Sequence, residues 1–133
     1  MIKKILMVDD EPNIVKAIKA ILELNHYQVV TALDGEECLR KLMSEKPDLI
    51  ILDVMMPKMT GYEVLIAMKQ EWAILGEASK TPPVIILTGW IDEKVKELIE
   101  KEQIQAYLLK PIETKELLET IEKVSKKTNK GHF

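Results

Sequence analysis

The chain has 133 residues, 47% of them apolar and 31% charged, with a formal net charge of −3. This is the length of one domain and too short for two independent cores, and the mild negative balance argues against a general nucleic-acid or membrane-surface binder. No apolar run approaches the roughly 20 residues that span a bilayer, and the start lacks the apolar stretch and cleavage site of a signal peptide, so we expect a cytoplasmic protein.

Ile5–Val8 is the first short apolar run. Pro12 follows, at the kind of position a helix start tolerates, and then a helical stripe of Ile14, Ala17, Ile18, Ile21 and Leu22. The second run is Gln28–Ala32. Beyond Asp34-Gly35 comes a stripe of Cys38, Leu39, Leu42 and Met43. Leu49–Leu52 follows Pro47, and past Gly61 lies a stripe of Val64, Leu65, Met68, Trp72 and Leu75, with Gly76 suited to end that helix. After Pro82-Pro83, Val84–Leu87 precedes Val95, Leu98 and Ile99. Ala106–Leu109 leads through Pro111 to Leu117, Leu118, Ile121 and Val124.

The runs are too short for helices and alternate little, as strands buried on both faces of a parallel sheet do. Five β-α units in succession predict an α/β fold: a doubly wound five-stranded parallel sheet with helices on both faces. The domain is expected over residues 1–125. Residues 126–133 read as a polar, Lys-rich tail with a fraying end.

Parallel strands place all their C-termini on one edge, where ligands bind. Strand 1 ends in Asp9-Asp10, strand 3 in Asp53, strand 4 in Thr88-Gly89 and strand 5 in Lys110-Pro111. Only strand 2 ends blandly. Each residue alone has an ordinary structural explanation as a cap, a turn former or a solvated charge. Four ends out of five point instead to a site. Three close carboxylates need a counter-charge. One Cys38 and two histidines, His26 and His132, are a poor basis for a nitrogen- or sulfur-ligated metal, so a hard, oxygen-bound cation such as Mg²⁺ is expected. Mg²⁺ with a lysine is a usual kit for phosphoryl transfer, and Asp53, near the switch point, is the natural nucleophile.

Four segments carry a resemblance: Met7-Val8-Asp9-Asp10-Glu11-Pro12, Asp53-Val54-Met55-Met56-Pro57-Lys58-Met59-Thr60-Gly61, Leu87-Thr88-Gly89 and Tyr107-Leu108-Leu109-Lys110-Pro111. In this order and at these distances the sequence resembles the receiver domain of two-component response regulators, over essentially the whole chain. The resemblance implies a flavodoxin-like (βα)5 sheet of order 2-1-3-4-5. It implies that Asp53 accepts a phosphoryl group from a phosphohistidine on a sensor histidine kinase or histidine phosphotransfer protein. Mg²⁺ would be held by Asp10, Asp53 and the Met55 carbonyl, with Asp9 acting largely through water. Lys110 would contact the phosphoryl oxygens, its bond to Pro111 being cis. Thr88 and Tyr107 would act as the switch, reshaping the face of helix 4, strand 5 and helix 5 that a downstream output protein or domain reads. The chain would be a signalling phosphoacceptor, not a turnover enzyme, with no direct nucleic-acid or membrane contact.

The sequence departs from the family pattern in places. Gln103-Ile104-Gln105 stands where a glycine usually ends helix 4. The 72–83 segment is long. Ala106 precedes Tyr107 where many DNA-binding members carry an acid, and helix 5 has no Arg. No output domain follows Val124, which suits a stand-alone receiver or one cut from a longer protein. Two rival classes fit less well. An Asp-nucleophile phosphohydrolase would show D-x-D, but Met55 follows Asp53 by two. A flavin or nucleotide binder needs a Gly/Ser/Thr-rich phosphate cradle after strand 1, and Asp9-Asp10-Glu11 is there instead. A receiver-like module that is never phosphorylated is opposed by the complete Asp/Asp/Asp/Thr/Lys set.

Overall fold

The computed structural model describes residues 1–89 and 91–130. Five strands, β1 (Lys4–Val8), β2 (Gln28–Ala32), β3 (Leu49–Leu52), β4 (Val84–Thr88) and β5 (Ala106–Leu109), alternate with helices α1 (Pro12–Leu24), α2 (Gly35–Glu45), α3 (Gly61–Ile74), α4 (Glu93–Glu100) and α5 (Thr114–Lys130). All strand pairs are parallel and the order is β2-β1-β3-β4-β5. This is the doubly wound sheet expected from the alternation. Each expected strand falls within a residue of its observed bounds.

Pleating divides the sheet into two faces, because successive side chains point opposite ways. Ile5, Met7, Leu49, Ile51, Ile85 and Leu87 form one core with Val15, Ile18 and Leu22 of α1 and Leu117, Ile121 and Val124 of α5. Leu6, Val8, Ile50, Leu52 and Ile86 form the other with Cys38 and Leu42 of α2, Val64, Leu65, Met68 and Trp72 of α3, and Ile99 of α4. Each fully buried Leu or Ile contributes about 1.5–3 kcal/mol. The central strands β1, β3 and β4 are buried on both sides, whereas the edge strands β2 and β5 are only partly covered, because an edge strand has a neighbour on one side only.

The ends of the elements follow local chemistry. Pro12 opens α1. The Asp34 side chain caps α2 by accepting the Glu37 N–H at 2.8 Å. Thr60 and Glu63 form a reciprocal capping box at the start of α3. Gly76 (φ 72°) takes the left-handed conformation just past α3, as expected of a residue that ends a helix. The long 72–83 segment contains a short 3₁₀ turn at Ala78–Lys80. At the end of α4, Gln103 adopts φ 59° without being glycine. The α4–β5 loop is held there by Lys69 of α3, whose ammonium donates to the Glu102 carbonyl oxygen and lies 3.4 Å from its carboxylate.

Several expectations are corrected. Gly35 and Gly61 are the first residues of helices, not linkers between elements. Met43, Leu75 and Leu98, read as core positions, are exposed. Leu75 lies past the last turn of α3, and Met43 and Leu98 sit at the margins of narrow buried stripes. Helix α5 continues past residue 125, through Lys130: the lysines after Ser125 are good helix formers with no breaker among them. His26 is exposed at a left-handed turn after α1. Trp90 and His132 lie outside the described residues. No helix among the described residues is long and apolar enough to cross a membrane.

Candidate functional site

The register builds the site. Val8 pairs with Leu52, so the next residues, Asp9 and Asp53, leave neighbouring strands side by side. The Asp53 N–H donates to the Val8 carbonyl at 2.9 Å, and the Asp9 N–H to that of Ala32 at 3.2 Å. Thr88 pairs with Leu109, which delivers Lys110 to the same edge. The Lys110 N–H donates to the Thr88 carbonyl at 2.8 Å, and the Lys110–Pro111 bond is cis.

Asp9, Asp10 and Asp53 bring carboxylate oxygens within 4.8 Å of one another. Asp9 is fully buried and Asp53 nearly so, while Asp10 looks outward at the rim. Among the described residues one cation answers them: Lys110 Nζ lies 2.6 Å from Asp9 Oδ2 and 3.5 Å from Asp53 Oδ2. Burial, and then the Asp9 charge, push the Asp53 carboxyl above the usual carboxylate range. The Thr88 hydroxyl, the Lys110 charge and the Met55 N–H pull it back only in part. For Lys110, burial favours the neutral amine, but the hydrogen bond to Asp9 and the charges of Asp53, Asp9 and Glu11 outweigh it and hold its ammonium above the ordinary lysine value.

Thr88 is fully buried, and its hydroxyl has no hydrogen-bond partner among the described residues. It is near enough to Asp53 to bear on its charge, but not at hydrogen-bonding geometry. A buried orphan hydroxyl costs about 1–3 kcal/mol, which an arriving acceptor would relieve. The Met55 N–H reaches Asp53 Oδ1 at 3.4 Å, with the Met55 side chain half exposed. Tyr107 pairs with Ile86, two residues before Thr88 on the same strand face, so Thr88 and Tyr107 are diagonal neighbours on the α4 side of the sheet. The Tyr107 hydroxyl is likewise buried without a partner. Burial, then Glu100 and Glu93, raise its pKa. Asp9, Asp10, Asp53, Met55, Thr88 and Lys110 thus gather on one edge, and Tyr107 lies two residues further back in the sheet with its hydroxyl shut from solvent.

The donor set is all oxygen, anionic in excess of its one lysine and compact. It fits a hard divalent cation such as Mg²⁺, which takes carboxylate oxygens and keeps several waters, and it does not suit a soft metal.

Sequence reasoning missed three contributors. Gly61 is one: a Cβ there would stand 2.5 Å from the Asp53 carbonyl oxygen and 2.8 Å from Val54 Cα, so α3 starts directly against the backbone of the Asp53 loop. Its signal was the T-x-x-E capping box beginning at Thr60. Glu11 is another. Its N–H donates to Asp9 Oδ1 at 3.0 Å, fixing that carboxylate. The third is Lys96, whose ammonium lies 5.3 Å from the Tyr107 ring centroid; no local pattern marks such a long-range contact.

Fold and strand-end cluster together define a signalling domain of the receiver type. A model for the response regulator receiver domain matches residues 5–122, and the chain belongs to that family. It is 42% identical over 117 residues to the alkaline phosphatase synthesis transcriptional regulatory protein PhoP of Bacillus subtilis (strain 168), covering 88% of this chain and 46% of PhoP. It is 39% identical over 133 residues to the "Probable transcriptional regulator ycf27" of Guillardia theta, covering 98% of this chain and 48% of that protein. The chain thus spans about half the length of the curated relatives it matches. Among solved structures, a CheY-like receiver domain protein from Methanospirillum hungatei JF-1 superposes with a TM-score of 0.85 at 28% identity, over 98% of this chain and 99% of that one. The chemotaxis protein CheY4 of Vibrio cholerae gives a TM-score of 0.81 at 32% identity, over 93% and 99%.

Proposed function

We propose that the chain is the phosphoacceptor of a two-component phosphorelay in the cytoplasm, and that Asp53 takes a phosphoryl group from a phosphohistidine of a sensor histidine kinase or histidine phosphotransfer protein. The observation that carries this reading is the pairing of a buried carboxylate at Asp53 with a lysine ammonium 3.5 Å away and an unsatisfied buried hydroxyl at Thr88. An Asp53 oxygen forms the bond to phosphorus as the nitrogen–phosphorus bond breaks. The electron pair returns to the imidazole, which takes up a proton from solvent. Lys110 and Thr88 then meet the phosphoryl oxygens. Asp9, Asp10, Asp53 and the Met55 carbonyl would hold Mg²⁺, which when bound supplies positive charge against the developing phosphoryl oxygens.

The chain then signals rather than turns over a substrate. Phosphorylation adds about −1.5 to −2 charges and three strong acceptors. Drawing the Thr88 hydroxyl toward them shifts the population of loop and Tyr107 arrangements, and the face of α4, β5 and α5 presented to an output partner changes with it. Incubation with acetyl phosphate and Mg²⁺, followed by intact-mass analysis, tests the acceptor. The parent should gain one phosphoryl group and Asp53→Asn none; equal uptake by both would move the site elsewhere. Thr88→Ala should still accept phosphate, more slowly, but lose the α4 and β5 amide shifts that beryllofluoride, a phosphoryl mimic, produces in the parent. Unchanged shifts would refute the coupling.

A further inference from the structure

Tyr107 presents a puzzle that its own strand does not resolve. Its hydroxyl is buried with no hydrogen-bond partner among the described residues, an arrangement that by itself favours turning the ring out to water. The ring nevertheless packs against the buried core on the α4 side of the sheet. What covers it is Lys96, reaching from α4 to lie 5.3 Å from the ring centroid. That distance is within the range over which an ammonium is attracted to an aromatic face. Lys96 is only partly exposed and takes part in no ion pair among the described residues.

From the ammonium of Lys96 over the Tyr107 ring, we infer that Lys96 is a positioning residue that latches Tyr107 in its buried arrangement before any phosphoryl group arrives. The contact exists only while the ring lies against α4; a ring swung out to solvent loses it. The latch offsets part of the penalty of the orphan hydroxyl and biases the α4–β5 face toward one of its two arrangements. It rests on the phosphoacceptor reading only for its consequence, the affinity for a phosphoryl mimic. A cation–π contact of ordinary strength corresponds to a population shift of about two- to fivefold.

The test compares the parent with Lys96→Met, which keeps the apolar stem and removes the charge, and Lys96→Arg, which keeps the charge. Photo-CIDNP on the unphosphorylated protein reads tyrosine accessibility, with Tyr27 and Tyr62 as internal references. We expect Lys96→Met to raise the Tyr107 signal alone, to weaken apparent beryllofluoride affinity about two- to fivefold, and to leave the melting temperature near that of the parent. Lys96→Arg should restore both readings. A Tyr107 signal unchanged in Lys96→Met, or the same signal in Met and Arg variants that are both folded, would overturn the latch. Failure of the parent to bind beryllofluoride at all would overturn the phosphoacceptor reading instead, and the photo-CIDNP comparison would still decide the latch.

Discussion

Asp53→Asn should stabilise the fold. The substitution keeps the shape of the side chain and an acceptor for the Met55 N–H, and removes one charge from a crowded cluster. At an effective dielectric of about 20, each carboxylate within 4.8 Å repels Asp53 by about 3.5 kcal/mol. Lys110 at 3.5 Å attracts it by about 5 kcal/mol on the same scale. Two repulsions against one attraction leave the ionised Asp53 about 2 kcal/mol uphill, reduced to about 1–2 kcal/mol because Asp10 is screened by solvent. Lys110 keeps its closer partner, Asp9, at 2.6 Å, so the mutation strands no buried charge. The upward shift of the Asp53 carboxyl has the same sign. Thermal unfolding in EDTA at neutral pH should show Asp53→Asn melting about 3–10 °C above the parent. A variant that melts at or below the parent would mean that Lys110 already neutralises the cluster, and the charge argument would fail.

Three further outcomes follow from the same geometry. Mg²⁺ should stabilise the parent by about 1.4 kcal/mol at ten times its dissociation constant, and Asp53→Asn by less; a melting temperature indifferent to millimolar Mg²⁺ would remove the cation site. Gly61→Ala should cost about 1–3 kcal/mol and slow phosphorylation, because its Cβ would meet the backbone of Asp53 and Val54 rather than yielding side chains; chemical denaturation and mass analysis would read the two effects, and a neutral result in both would mean that α3 can shift freely. Burial, and secondarily Asp34, push the Cys38 thiol up to about 12, so it should resist a thiol reagent until the chain unfolds. Because its folded value lies above the unfolded one, its contribution to stability is complete below 9.0 and is lost as pH climbs toward 12; Cys38→Ala should flatten that part of the stability–pH curve, and an unaltered slope would assign it to the tyrosines.

Much of this molecule was legible in its sequence, for reasons that are local. Five apolar runs bounded by Pro, Gly and Asp marked the strands because a strand buried on both faces has no polar alternation to confuse with a helix. The site was legible because parallel topology sends every strand end to one edge, so Asp9, Asp53, Thr88 and Lys110 needed only strand boundaries to be grouped. What escaped was tertiary. Nothing near Lys96 announces a ring eleven residues later on a different element. The exposure of Leu98 depends on how α4 is turned against the sheet. The buried hydroxyl of Tyr107 depends on what α4 lays over it. Gln103 could be seen to lack the usual glycine, but not that a lysine from α3 would hold the loop beside it.

That Lys69–Glu102 link has a mechanical consequence. Helix α4 has eight residues and so is about 12 Å long. Its distal end is tethered to α3, while its proximal end starts from the Asp92 cap, whose side chain accepts the Lys94 N–H at 2.8 Å, just beyond the strand that carries Thr88. A rod fixed at one end does not slide; it pivots. Tilting α4 by about 10° about the tether would move its proximal end by about 2 Å and its distal end scarcely at all. Displacement would then be graded along the helix, largest at Glu93 and smallest at Glu100, and cutting the tether with Lys69→Met would turn the pivot into a drift of the whole helix.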